Sequence, residues 1–171
     1  MKKTVKVIVS GDGGVGKTSF LNRLVNDRFS DNSELTRGID FYSKNIYVNG
    51  TEFNFIMWDF AGQKQFKTLL NDFVEGSLAA LILFDLTRIN TIENLHDWIV
   101  TLESFGHIPI ILIGTKSDLV SPYDYQAIDN YISEIKQEYD NIISYMKISS
   151  KTGENIQSAF KILIESLFLQ Q

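Results

Sequence analysis

The sequence predicts a three-layer α/β fold: a mostly parallel six-stranded sheet with one antiparallel edge hairpin and helices on both faces. Three observations carry this prediction. The spacing of apolar residues alternates between strand and helix types along the chain. Residues 78–85 (Leu-Ala-Ala-Leu-Ile-Leu-Phe-Asp) and 109–114 (Pro-Ile-Ile-Leu-Ile-Gly) are continuous apolar runs, as suits central parallel strands buried on both faces. Most strand-type runs are separated by stretches of helical length, which implies crossover connections and parallel pairing.

Taken in order, residues 4–10 read as a buried strand rich in β-branched side chains. Residues 17–27 read as a helix, with Phe20, Leu21, Leu24 and Val25 on one face. Residues 28–40 are polar and irregular, and loops of that length in compact domains tend to be functional. Runs 41–48 and 51–58 flank Asn49-Gly50, a strong hairpin signal, so this pair is expected to be antiparallel. A second loop is expected from Asp59 onward. Asn90 with Glu93 resembles a helix-capping pair ahead of the stripe Leu95, Trp98, Ile99 and Leu102. Ser121-Pro122 opens a further helix whose apolar face is Ile128, Tyr131, Ile132, Ile135 and Tyr139. A last strand covers about 142–148, and a last helix covers about 154–168, with Ile156, Phe160, Leu163 and Leu167 toward the sheet.

The 171 residues suit one domain, 1–171, and 44% hydrophobic with 22% charged residues is ordinary for a soluble globular chain. A net charge of −5 argues against nucleic acid as the main partner. With no cysteine there is no disulfide, thiolate metal site or thiol nucleophile, and no lipid anchor on this sulfur chemistry. Neither a signal peptide nor a membrane span is expected, and Lys2 excludes N-myristoylation.

The most specific signal is Gly11-Asp-Gly-Gly-Val-Gly-Lys-Thr-Ser19, between a strand and a helix. Gly11, Gly16, Lys17 and Thr18 fit the phosphate-loop pattern in the context it requires. Backbone N–H groups must curl around phosphate oxygens, and residues without a Cβ permit that curvature. The helix that follows aims unpaired N–H groups and its positive dipole end at the same anion. Gly13, Gly14, Val15, Gly16, Lys17, Thr18 and Ser19 are therefore the candidates for phosphate contact, and the Thr18 hydroxyl can ligate Mg²⁺. Further polar clusters fall where strands end, which is where α/β sheets bind ligands. Asp59 is placed to hold Mg²⁺ directly or through water, Gly62 lets a backbone N–H approach a terminal phosphate, and Gln63 can orient a water. In Thr115-Lys116-Ser117-Asp118, a carboxylate can accept two N–H bonds from guanine, a donor pair that adenine lacks.

Together these segments, with Thr36 and Ser149-Ser-Lys151, resemble a P-loop NTPase G domain of the Ras superfamily of small GTPases over the whole chain. The likeness is greatest to the Rab branch, through Thr36-Arg-Gly-Ile-Asp-Phe41 and Trp58-Asp59. The resemblance implies a GTP hydrolase that binds GTP or GDP with Mg²⁺ and acts as a molecular switch in membrane trafficking or related regulation. It implies Lys17 on the β- and γ-phosphates and Thr18, Thr36 and Asp59 at the metal, with Lys17 and Gln63 as the catalytic pair. It places Phe29 and Lys116 against the base, Thr115 and Asp118 beside it, and Ser149, Ser150 and Lys151 near the guanine oxygen. Loops of about 30–41 and 59–75 would be the two switches, with Thr36 and Gly62 sensing the γ-phosphate. Implied partners are effectors, exchange factors and GTPase-activating proteins, with Phe41, Trp58 and Phe73 in the position of a partner-binding aromatic triad. A cytoplasmic monomer, peripheral to membranes through a partner, is expected.

Departures from the family pattern are Phe60 for Thr, Thr115 for Asn, Ser150 for Ala, and Ser33 where many relatives carry an aromatic. Phe60 would put a bulky apolar group in the second switch, and with Ser33 it leaves room for an alternative: a GTP-binding interaction module with little hydrolysis. His96 and His107 lack metal-like spacing, and Arg37 and Arg88 do not stand where a GTPase carries its own arginine finger.

Overall fold

The computed structural model describes residues 2–32, 34–36, 38–62 and 69–169. The elements in order are β1 (Lys2–Ser10), α1 (Lys17–Asn26), β2 (Ile39–Val48), β3 (Thr51–Phe60), α2 (Leu69–Phe73) and β4 (Ala79–Asp85). There follow α3 (Ile89–Glu93), α4 (Leu95–Glu103), β5 (Ile110–Thr115), α5 (Tyr125–Glu138), β6 (Ile142–Lys147) and α6 (Ile156–Phe168). One six-stranded sheet runs in the order β2-β3-β1-β4-β5-β6. β2 and β3 are antiparallel and every other pair is parallel.

Alternation along the buried strands divides the core between the two faces. Val5, Val7 and Val9 of β1, Leu81 and Leu83 of β4, and Ile111 and Ile113 of β5 pack with Phe20 and Leu21 of α1 and Phe160 and Leu163 of α6. Ile8, Ile82, Phe84 and Leu112 point the other way, onto Trp98, Ile99 and Leu102 of α4 and Ile132 and Ile135 of α5. Each fully buried Leu or Ile contributes about 1.5–3 kcal/mol, so the two faces hold the sheet rigid beneath the loops at its carboxyl edge.

Several boundaries differ from the sequence reading for identifiable reasons. Asn49 and Gly50 both take positive φ (49° and 78°), as a tight two-residue hairpin turn requires. The register this turn sets carries pairing on to Ile39↔Phe60. Asp59 and Phe60 therefore end a strand instead of opening a loop, and Phe60 is buried in the core beside Leu70 and Val74, not exposed in the second loop. The stripe after β4 is two helices, α3 and α4, meeting at Asn94. Asn90 is not its cap: the cap position is Arg88, and the Thr91 hydroxyl donates to the Arg88 carbonyl at 2.7 Å. Ser121 does cap, accepting from the Tyr123 N–H at 3.4 Å, but the turn it opens (Pro122–Asp124) is a 3₁₀ turn ahead of α5.

Candidate functional site

The loop from Gly11 to Gly16 leaves β1 at the sheet's carboxyl edge and enters α1. Gly11, Gly14 and Gly16 have φ of 136°, 73° and 97°. At Gly11 a Cβ would lie 2.1 Å from the Leu83 carbonyl oxygen, so no larger residue fits against β4 there. The loop is braced from within and from outside. Lys17 is buried and its Nζ donates to the carbonyls of Gly11 (2.9 Å) and Asp12 (2.8 Å). The Thr115 hydroxyl donates to the Val15 carbonyl at 2.5 Å and lies 3.1 Å from the Phe84 carbonyl, a tie that a Thr makes in the place of the commoner Asn. The Asp12 carboxylate accepts from Asn94 Nδ2 at 2.7 Å and from Trp98 Nε1 at 2.8 Å. Burial pushes the Lys17 ammonium down to about 8, against the raising charges of Asp59 and Asp12. A buried cation beside a ring of backbone N–H groups suits an anion.

Next to it, the Thr18 hydroxyl donates to Asp59 Oδ2 at 2.5 Å and lies 2.7 Å from the Thr36 hydroxyl. Since the Thr18 proton goes to Asp59, Thr36 is the donor to Thr18. Burial raises the Asp59 pKa, while Thr18 and Lys17 pull it down. Among the described residues, the buried Asp59 Oδ1 has no hydrogen-bond partner. An unsatisfied carboxylate oxygen beside two hydroxyls is an all-oxygen donor set, which fits a hard cation such as Mg²⁺. Among the described residues no group of three His, Cys, Asp or Glu could hold a metal by itself. Mg²⁺ usually takes one or two protein oxygens plus phosphates and water. Gly62 lies against the phosphate loop so closely that a Cβ would come within 2.2 Å of the Asp12 carbonyl carbon.

On the other side stand the ends of β5 and β6. Lys116 takes a left-handed backbone (φ 62°) that turns the chain into Ser117–Leu119. Ser149 Oγ donates to Asp118 Oδ1 at 2.7 Å and accepts from the Thr152 N–H at 3.1 Å. Ser117 Oγ donates to Glu154 Oε2 at 2.8 Å. The Asp118 carboxylate is thus oriented by a neighbour before any ligand arrives.

A cavity of about 320 Å³ joins the two sides. Of the residues singled out from sequence, Gly13, Gly14, Gly16, Lys17, Thr18, Ser19, Phe29, Thr36, Gly62, Thr115, Lys116, Asp118, Ser150 and Lys151 line it. Val15, Asp59 and Ser149 stand behind the lining, fully buried. Gln63, Ser33 and Arg37 lie outside the described residues. Phe41, Trp58 and Phe73 form a separate chain of rings, with centroids 4.6 Å and 5.5 Å apart; Phe41 is 54% exposed, while Trp58 and Phe73 are partly buried. Lys6 Nζ sits 4.0 Å over the Trp58 ring. His96 and His107 are exposed, bonded to Tyr139 Oη (2.9 Å) and Asp140 (3.0 Å). Asp12, Asp85, Asp31 and Glu34 are not among the residues expected at the site from sequence. Asp85 carried a signal, a carboxylate ending an apolar strand, whereas Asp31 and Glu34 line the cavity from an irregular stretch without one.

This loop on the first strand of this sheet defines a phosphate-loop α/β domain. A model of the Ras family matches residues 6–169. The chain is 34% identical to Ras-related protein Rab-34 of Rattus norvegicus over 92% of its own length, spanning 61% of that relative. It is 32% identical to Ras-related protein Rab7 of Drosophila melanogaster (96% of this chain, 81% of the relative) and 31% identical to Ras-related protein Rab-2B of Dictyostelium discoideum (95% and 79%). The chain belongs to the Ras family, with Rab-like similarity. Proteins of this family bind GTP or GDP with Mg²⁺ and are GTP hydrolases.

Proposed function

We propose that residues 1–171 form one G domain that binds guanine nucleotides with Mg²⁺, hydrolyses GTP slowly, and signals through loops of about 30–41 and 59–75 in membrane trafficking or a related process. The observation that carries this reading is one cavity with a buried ammonium and an oxygen donor set on one side and an oriented carboxylate on the other. Lys17 and the N–H groups of Gly13 to Ser19 bind the phosphates. Thr18 and Thr36 would hold the metal, with Asp59 acting through water. Asp118 reads the guanine edge, Lys116 and Phe29 flank the ring, and Ser149, Ser150 and Lys151 close its far side. A bound Mg²⁺ supplies charge neutralisation at the phosphate oxygens. Lys17 adds a fixed positive charge where negative charge spreads onto the transferred group. Gln63 orients the attacking water, on the strength of the resemblance.

Effectors, exchange factors and GTPase-activating proteins engage the two loops and the Phe41, Trp58 and Phe73 rings. Among the described residues no helix is long and apolar enough to cross a membrane. Membrane association through a partner fits the Rab-like similarity.

A single-turnover time course of bound GTP in Mg²⁺ tests the reading. Conversion to GDP on the order of 10⁻⁴ s⁻¹ is expected, with Gln63→Leu abolishing most of it and sparing binding. GTP that stays intact on the wild-type protein would favour a binding module without turnover, and wild-type turnover in Gln63→Leu would remove that residue from the mechanism.

A further inference from the structure

Asp85 ends β4, has no solvent exposure, and takes part in none of the contacts assigned above. A buried carboxylate is costly unless it is paired and hydrogen-bonded. Its Oδ1 accepts from the Thr87 N–H (2.9 Å) and the Thr87 hydroxyl (2.6 Å). Its Oδ2 takes two cations, Lys116 Nζ at 2.6 Å and Arg88 Nε at 3.2 Å. Burial raises its pKa, but the bonds from Lys116 and Thr87 outweigh burial and hold the carboxyl below its ordinary range.

Both cations reach on to the phosphate loop. Arg88 Nη2 donates to the Gly13 carbonyl at 2.9 Å, and Lys116 Nζ lies 3.5 Å from the Gly14 carbonyl. In a trans peptide the next N–H points opposite to the carbonyl, so anchoring the Gly13 carbonyl fixes the direction of the Gly14 N–H. Lys116 also holds a left-handed backbone, uncommon for a long side chain, at the position where its stem lines the cavity. One buried charge therefore sets the base-side lysine and the phosphate-side backbone together.

We propose that Asp85 is a positioning residue that couples the base-side Lys116 to the phosphate loop through Arg88 and so governs how long a guanine nucleotide stays bound. The proposal rests on the guanine-nucleotide reading above. Removing the charge leaves Lys116 and Arg88 competing for the Gly13 and Gly14 carbonyls without a common anchor, and the loop loses its fixed shape.

The test is stopped-flow release of a fluorescent GDP in excess Mg²⁺ from wild type, Asp85→Asn, Lys116→Met and the double variant. Lys116→Met keeps the apolar stem and removes the ammonium. Release from Asp85→Asn should be about ten- to a hundredfold faster, the cost of a lost bond between charged groups. In the Lys116→Met background the same change should add clearly less than it does in wild type, because the Lys116 contact is already gone and the Arg88 contact remains to be lost. A wild-type release rate in Asp85→Asn overturns the proposal. So does a full additional effect in the double variant, which would mean general loosening instead of coupling. If Asp85→Asn does not fold, Arg88→Gln decides, since that side chain is partly exposed: faster release supports the coupling and an unchanged rate overturns it. Wild type that fails to bind fluorescent GDP at all would instead sink the nucleotide reading.

Discussion

The proposed base side and the proposed phosphate side of the cavity are built on different terms. On the base side, side chains hold one another: Ser149 orients Asp118, Glu154 accepts from Ser117, and Asp85 anchors Lys116. Asp85 is the last residue of β4, and the others lie in the segments that follow the parallel strands β5 and β6. On the phosphate side, among the described residues, Thr18, Thr36 and Asp59 converge but leave Asp59 Oδ1 unsatisfied, and the buried Lys17 donates to two backbone carbonyls. Thr36 and Gly62 reach this side from loops, joined near their bases by the Ala61 N–H to Gly38 carbonyl bond at 2.8 Å. The difference teaches where recognition and response divide. Polar groups that are already satisfied recognise without rearranging, whereas groups with unmet bonding gain most when a ligand arrives, and that gain can drive a change of state.

The largest effect should come from breaking the base side. Asp118→Asn removes the carboxylate proposed to accept two guanine N–H groups, and GTP and GDP affinity should fall on the order of 10³-fold or more. The amide oxygen of the new side chain can still accept from Ser149, so the pocket should keep its shape. Xanthosine triphosphate, which presents an acceptor where guanine presents a donor, should bind the variant better than GTP. Equal weakening of both nucleotides would mean that Asp118 supports the pocket without reading the base.

A smaller effect, confined to the phosphate side, is expected from Gly62→Ala. The new methyl would fall 2.3 Å from the Gly11 carbonyl oxygen and from the Gly13 nitrogen, so the second loop must lift off the phosphate loop. Misplacement of that size costs about a hundredfold in a positioned reaction. GTP hydrolysis should drop by about that factor while GDP affinity stays near wild type. If GDP affinity fell as far as hydrolysis, the two sides would not be separable.

The same division explains how much of the molecule was legible in its sequence. Phosphate-loop glycines, the Asn49-Gly50 turn and the apolar strands are local patterns, each specified within about ten residues, and each was found where expected. Contacts that depend on long-range register were not legible. Asp85 meets Lys116 because β4 and β5 pair as Asp85↔Thr115, and Asp12 meets Asn94 and Trp98 across more than eighty residues of chain. Asn90 looked like a cap because it stands ahead of a stripe, yet Thr91 is drawn to the end of β4, its hydroxyl accepting from the Asp85 N–H at 3.0 Å. Phe60 looked like a loop residue because its neighbours match a loop motif, and only the β2–β3 register carries it into the core. Most of the candidate site could be read because phosphate binding is largely a backbone property of one short segment. Its bracing could not, because bracing is a property of the sheet.

The smallest effect is a titration that separates the two sides without any mutation. In the free protein, burial lowers Lys17 to about 8 from its ordinary 10.5. A phosphate beside it favours the charged form and raises that value in the complex, so binding takes up a proton. Affinity must then fall as pH rises through the free-protein value. Between about pH 7 and about pH 8.5, GDP binding should weaken about fourfold, a window below that in which guanine loses its own N1 proton. The stability of the nucleotide-free fold should move the opposite way. An unfolded Lys17 keeps its proton to higher pH, so the unfolded state binds more protons between about 8 and 10.5 and the folded state gains stability as pH rises there. The preference for GDP over inosine diphosphate, which lacks the second donor to Asp118, should stay constant across the same window because Lys17 does not touch the base. An affinity that is flat with pH would show that Lys17 is fully charged before nucleotide binds. A GDP-to-inosine-diphosphate ratio that moves with pH would show that the phosphate and base sides share a proton, and the separation drawn between them would fail.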